Sequence, residues 1–141
     1  KNVKKLFFTS LSFLESIIIG KNCFTTTENE ISMTADRVVH ISGCSALESI
    51  TVEDYSLSEC CDLQIKCNPS LKTINFGSFS FFNCPDFILD GNLISLFSYQ
   101  DLPSLQTISL GEFSFFNVHT IQLSSIFFEM DELKMILPSN C

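Results

Sequence analysis

Tryptophan is absent from this 141-residue chain, and glycine (5), proline (4) and tyrosine (2) are scarce. So little Gly and Pro excludes a collagen-like or low-complexity linker chain. Charge is also thin: 17% of residues are charged, and eight Lys and Arg stand against sixteen Asp and Glu, for a net charge of −8. That balance argues against a surface for DNA, RNA or anionic lipid. No run of apolar residues approaches the ~20 that a membrane helix needs. The chain has no G-x-S-x-G, P-loop, G-x-G-x-x-G or H-E-x-x-H pattern, and its Asn residues lack the glycosylation triplet. No pair of cysteines has C-x-x-C spacing, and only two histidines are available, so neither a metal nor another cofactor is expected.

What is present is apolar. Hydrophobic residues make up 45% of the chain, fifteen of them Phe, and mean hydropathy is +0.29. One domain with a sizeable core is expected at this length. Lys1, Lys4 and Lys5 ahead of residues 6–14 imitate a signal peptide. Glu15 interrupts the apolar run, however, and no small-residue cleavage site follows. Seven cysteines are an odd number, so at least one cannot pair within the chain.

Self-comparison reveals a repeat. Phe13-Leu-Glu-Ser-Ile-Ile-Ile-Gly20, Ala46-Leu-Glu-Ser-Ile-Thr-Val-Glu53, Ser70-Leu-Lys-Thr-Ile-Asn-Phe-Gly77 and Ser104-Leu-Gln-Thr-Ile-Ser-Leu-Gly111 share L-x-[ST]-I-x-φ, φ being apolar. A fifth copy opens at Leu133. The motif leucines are Leu14, Leu47, Leu71, Leu105 and Leu133, so the copies are unevenly spaced, as in a solenoid whose loops differ in length. A second block, Gly77-Ser-Phe-Ser-Phe-Phe-Asn-Cys84, recurs as Gly111-Glu-Phe-Ser-Phe-Phe-Asn-Val118 and more loosely at 53–60.

Alternation of apolar and polar residues predicts strands, not helices. A first set is expected at 14–19, 47–52, 71–76, 105–110 and 133–137. A second set is expected near 31–33, 63–65, 87–89 and 121–123, with helix limited to short pieces near 93–99 or 125–132. No unit buries its apolar face alone, so units must stack. Stacking places the five leucines in one inward column. Ile17, Ile50, Ile74, Ile108 and Ile136 form a second column, and Ile19, Val52, Phe76 and Leu110 a third. Phe24, Leu57, Phe81 and Phe115 add an aromatic column, with 55, 79 and 113 beside it as core. Cys60 and Cys84 are expected as buried neighbours on adjacent units, as free thiols.

The pattern L-x-x-I-x-φ-G-x-[FY]-[AS]-F-x-x-C, as in Leu71–Cys84, resembles the leucine-rich repeats of the BspA-like class of bacteria and protists. Pro69-Ser-Leu-Lys-Thr-Ile and Pro103-Ser-Leu-Gln-Thr-Ile are especially similar to protist versions. The resemblance covers nearly the whole chain. It implies a β-rich solenoid, a leucine-rich-repeat-like stack with parallel sheets and little helix, serving adhesion or protein recognition. Residues 1–141 then form a single array of about four and a half units. With no cap at either end, the chain is expected to be a piece of a longer array. The family points to a cell-surface or secreted setting, while the cysteine count leaves the cytoplasm open.

Outward positions on the first strands form columns. The first column is Glu15, Glu48, Lys72, Gln106, and the second Ser16, Ser49, Thr73, Thr107. The third is Ile18, Thr51, Asn75, Ser109, and the fourth Gly20, Glu53, Gly77, Gly111. A protein partner of unknown identity is expected to contact Glu15, Glu48, Lys72, Thr73, Asn75, Gln106 and Thr107. The alternative is a structural spacer within a larger multidomain protein, with no ligand of its own, because Ser and Thr suit exposed strands by propensity alone. Tyr55 and Tyr99, the latter in the long insertion 91–101, are further candidate anchors. An enzyme is not expected. A Cys84–His119 neighbourhood is conceivable, but Val118 occupies the position equivalent to Cys84, and a column that accepts Val is a packing column.

Overall fold

The computed structural model describes residues 3–25, 37–82, 84, 86–90, 104–114, 120–124 and 134–136. These residues form strands and turns and no helix. Ten strands follow in order: β1 (Lys5–Thr9), β2 (Ser16–Ile19), β3 (Arg37–Ser42), β4 (Ser49–Val52), β5 (Cys60–Lys66), β6 (Thr73–Phe76), β7 (Asp86–Asp90), β8 (Thr107–Leu110), β9 (Thr120–Ser124) and β10 (Lys134–Ile136). They segregate into two five-stranded sheets ordered β1-β3-β5-β7-β9 and β10-β8-β6-β4-β2, with every pairing parallel. The chain therefore alternates between sheets and lays each new strand beside the previous strand of its own sheet.

The inward columns carry the core. Ile17, Ile50, Ile74 and Ile108 stand in register, as do Ile19, Val52 and Phe76 with Leu110. From the other sheet come Val39 with Leu63 and Ile41 with Ile65, and both sheets feed one hydrophobic cluster. Leu47, Leu71 and Leu105 are fully buried and Leu14 partly so, but these leucines sit one turn before the strands. The amides of Leu14, Leu47 and Leu71 close turns on the carbonyls of Leu11, Cys44 and Asn68. Strands thus begin later than the alternation predicts, at Ser16, Ser49, Thr73 and Thr107.

The strands also depart in places from those expected. Residues 31–33 lie outside the described residues, and the strand that pairs with Leu63–Ile65 is Val39–Ile41, within β3. β1, which resembles a signal peptide in composition, is a strand paired with β3 along its whole length. In β10, Met135, not Ile136, stands opposite Ile108, so the last unit is shifted by one position. Leu133, Phe115, His119, Tyr99 and both expected helical pieces fall outside the described residues.

The corners stack as tightly as the strands. Asn22, Tyr55, Phe79 and Phe113 have φ of 54° to 58°, and Phe24, Leu57 and Phe81 have φ of 51° to 55°. Left-handed backbone costs a bulky residue about 1–3 kcal/mol. It also turns the amide along the stacking direction. The amides of Asn22, Tyr55 and Phe79 donate to the carbonyls of Asp54, Ser78 and Glu112 on the next corner. Those of Leu57 and Phe81 donate back to Cys23 and Ser56. Tyr55, Phe79 and Phe113 stack face to face at centroid distances of 5.0 Å. This ladder is not core, as Tyr55 is 47% exposed.

Buried polar groups find their partners within the stack. Asn68 is fully buried; its side-chain oxygen accepts the Cys44 amide at 3.0 Å, and its Nδ2 donates to the Ile41 carbonyl at 3.2 Å. Buried Ser56, Ser80 and Ser114 donate to the carbonyls of Gly20, Gly77 and Gly111. Arg37 is buried, donates to the Phe24 carbonyl and lies 3.6 Å from Glu59. Cys60 and Cys84 are both fully buried, are not joined by a disulfide, and lie just ahead of the paired positions Asp62 and Asp86.

This packing makes two kinds of substitution costly. Leu71→Ala removes a fully buried side chain and should lower unfolding free energy by about 2–5 kcal/mol, read by urea titration. Gly77→Ala should also destabilise, by about 1–3 kcal/mol as overpacking does, because the added Cβ would sit 2.5 Å from the Asp54 amide nitrogen. Gly20→Ala should be near neutral in the same assay, since its nearest neighbour is Cys23 Sγ at 3.9 Å.

Candidate functional site

The seven candidate residues share the outward side of the sheet made by β2, β4, β6, β8 and β10. Glu15, Glu48, Lys72 and Gln106 immediately precede their strands and are exposed. Their backbones are tied in sequence: the Glu48 amide donates to Glu15, Lys72 to Glu48 and Gln106 to Lys72, at 2.8–2.9 Å. Thr73 pairs with Thr107 and Asn75 with Ser109, and all four are half-buried between fully buried or partly buried inward neighbours. All seven are therefore brought to one face.

The charges on that face are partly neutralised. Lys72 Nζ lies 2.8 Å from Glu48 Oε1. Both side chains are about half exposed, so such a pair contributes about 0.2–1 kcal/mol and is screened by salt. The acidic half of the face is accordingly weaker than the column Glu15, Glu48 suggests. No aromatic or Arg side chain stands in the outward columns, but Ile18 is 71% exposed there.

At the end of these strands lies a shallow cleft of about 300 Å³ lined by Lys21, Thr51, Glu53, Asp54, Asn75 and Gly77, among others. The outward columns read from the sequence include Glu53 and Gly77 but miss Lys21 and Asp54. Asp54 accepts the Ser78 amide at 2.9 Å, and Lys21 Nζ sits 3.2 Å away. The Lys21 amide donates to Glu53 at 3.0 Å. A signal for this cluster exists in the sequence: Lys21, Asp54 and Ser78 follow the motif leucines Leu14, Leu47 and Leu71 at one constant offset. The Ser78 amide first, and Lys21 second, hold the Asp54 carboxyl below its ordinary value of 3.8.

The opposite sheet has its own outward cluster. His40 Nε2 lies 3.1 Å from Asp62, Gln64 donates to the same carboxylate, and the Phe7 ring packs against His40 at 5.1 Å. This is a cross-strand pair at surface positions. Of the nearby thiols, Cys61 donates to the Arg37 carbonyl and Cys60 to the Asp62 carbonyl. Among the described residues no three His, Cys, Asp or Glu side chains group to hold a metal ion. Likewise no helix there is long and apolar enough to cross a membrane.

No protein-family model, curated protein or solved structure matches the chain at a significant level.

A carboxyl with a depressed folded-state pKa adds stability above its unfolded value, and that stability is lost as pH falls through the folded value. Asp54→Asn should therefore lower the melting temperature at neutral pH. Its melting temperature should then fall less steeply than the parent's as pH drops below about 4, where the unfolded carboxyl takes up a proton before the folded one does. Melting curves between neutral and acid pH check both the offset and the slope.

Proposed function

We propose that the chain is a solenoid of the leucine-rich repeat kind, similar to BspA-like proteins, and works without catalysis as a protein-recognition or adhesion module. The observation that carries this reading is one exposed sheet face holding Glu15, Glu48, Lys72, Thr73, Asn75, Gln106 and Thr107 on parallel, in-register strands. Concave sheets of stacked repeats are the usual docking surface of such arrays. Side chains of this size give small per-unit contacts, so affinity accumulates over several units. The overall excess of sixteen acids over eight bases favours a basic or polar protein partner and an on-rate that falls with salt. It disfavours nucleic acid.

A spacer with no ligand is the second reading. The Glu48–Lys72 pair favours it, because two of the most exposed charges on the face already satisfy each other.

Thr73→Arg, Asn75→Arg and Thr107→Arg together test the face. The parent and the triple variant are screened on an array of folded proteins spanning acidic to basic isoelectric points, and melting is recorded in parallel. Capture weakened at least about tenfold, equal to ~1.4 kcal/mol, with melting unchanged supports the face. Capture that survives the substitutions moves the contact elsewhere. No capture by the parent leaves the spacer.

A further inference from the structure

Tyr55 is held rigidly and yet stands open. Its backbone is left-handed, with φ of 58°, and its amide donates to the Ser78 carbonyl at 2.8 Å. One face of its ring lies flat on Phe79, with centroids 5.0 Å apart and planes within 5°. The equivalent position on the adjoining corner is Asn22, so among the described residues no ring covers the second face. Tyr55 is accordingly 47% exposed, whereas Phe79 and Phe113 further along the ladder are half-buried. A ring fixed before a partner arrives loses little freedom on binding.

The residues just before Tyr55 supply charge. Glu53 and Asp54 line the cleft of about 300 Å³ together with Lys21, Thr51 and Asn75. Along these corners Lys21 is set against Glu53, Asp54 and Glu112. Lys21 is already engaged: its Nζ pairs with Asp54 Oδ2 at 3.2 Å, while Asp54 Oδ1 accepts the Ser78 amide. Glu53 accepts the backbone amide of Lys21 on Oε2. Among the described residues no cationic side chain lies within ion-pair distance of Glu53 or Glu112, and both are exposed. The surplus is negative, and it adjoins an open ring. Thr51 and Asn75 bring a hydroxyl and an amide oxygen to the cleft as further acceptors. A flat cation with several N–H donors answers all of these features. Guanidinium has that form: it stacks on aromatic faces and bonds carboxylates in pairs, whereas an ammonium is a compact point charge.

We propose that this corner takes an arginine side chain of a basic protein partner, its guanidinium against the open face of Tyr55 and its N–H groups on Glu53. Resting on the reading of the chain as a recognition module, the site defines the side chain that a partner must present. It also supplies the aromatic anchor that the outward columns of the sheet lack. Asn75 belongs to both the face and the cleft, so one partner can engage the two together.

Fluorescence anisotropy on the unaltered chain, with labelled peptides of eight arginines and of eight lysines at about 0.15 M salt, provides the test. The arginine peptide should bind more tightly than the lysine peptide. Tyr55→Asn copies Asn22, which holds the equivalent left-handed position with φ of 57°. It should weaken arginine binding by about two- to fivefold and erase the preference. Glu53→Gln should weaken both peptides. Asp62→Asn removes the same charge from the opposite sheet and should leave both affinities close to the parent's. If Tyr55→Asn fails to fold, Glu53→Gln compared with Asp62→Asn decides. The anchor is overturned by absence of binding, by equal affinity for the two peptides, or by a folded Tyr55→Asn chain that binds like the parent. Equal losses in Glu53→Gln and Asp62→Asn overturn it too. Capture on the array of folded proteins reads the recognition module separately, so capture there without an arginine preference here removes the anchor alone.

Discussion

Backbone stacking at the corners is the constraint on which the rest of this molecule depends. A parallel sheet fixes its strands about 4.8 Å apart. Chain that alternates between two such sheets must turn at the same spacing, with its own amides paired. The left-handed residues Asn22, Tyr55, Phe79 and Phe113, with Phe24, Leu57 and Phe81, lie where the chain makes these turns, and most of them aim their amides at neighbouring corners. Once the corners approach that closely, a side chain at Gly77 or Gly111 would strike backbone of the preceding corner. Glycine there answers to proximity, not to an unusual dihedral.

The same constraint sorts the polar residues. A corner buried between its neighbours has carbonyls that water cannot reach, and an unpaired buried polar group costs about 1–3 kcal/mol. Ser56, Ser80 and Ser114 satisfy carbonyls on one side of the stack, and Asn68 bridges two chain segments on the other. Arg37 is a charge admitted to the interior on the condition that the Phe24 carbonyl and Glu59 meet it. The Tyr55–Phe79–Phe113 ladder offsets backbone strain with ring stacking while leaving one edge in water.

Legibility in the sequence tracks how strongly stacking constrains a position. The strands β2, β4, β6 and β8 are readable because L-x-[ST]-I-x-φ recurs without insertion, and every inward residue in it meets its own equivalent. β3 is easily misplaced because Ile31-Ser-Met33 alternates as well as Val39-His-Ile41 does, and alternation carries no absolute position. The spacing to the motif does carry it: Leu6, Val39 and Leu63 precede Leu14, Leu47 and Leu71 at one constant offset. β1 is obscure because it precedes the first copy of the motif, and lysines before a short apolar run imitate an export signal. The shift at β10 arises where the repeat motif is shortest and least able to fix its register. At the face, the outward side of all seven residues is legible from period two. The Glu48–Lys72 pair is not, because rotamers of long exposed side chains leave no trace in a pattern.

Folding places few demands on the outward columns, and that is where specificity has room to reside. Corner and inward positions repeat nearly the same residue from unit to unit, since each must fit its own copy above and below. The column Glu15, Glu48, Lys72, Gln106 changes charge twice along the stack while its backbone ladder stays intact. A scaffold whose stability is settled at the corners and in the core tolerates such changes at little energetic cost, as surface substitutions usually do. A partner bound at this face would therefore be read by residues the fold does not need, on strands whose spacing the fold does not allow to vary.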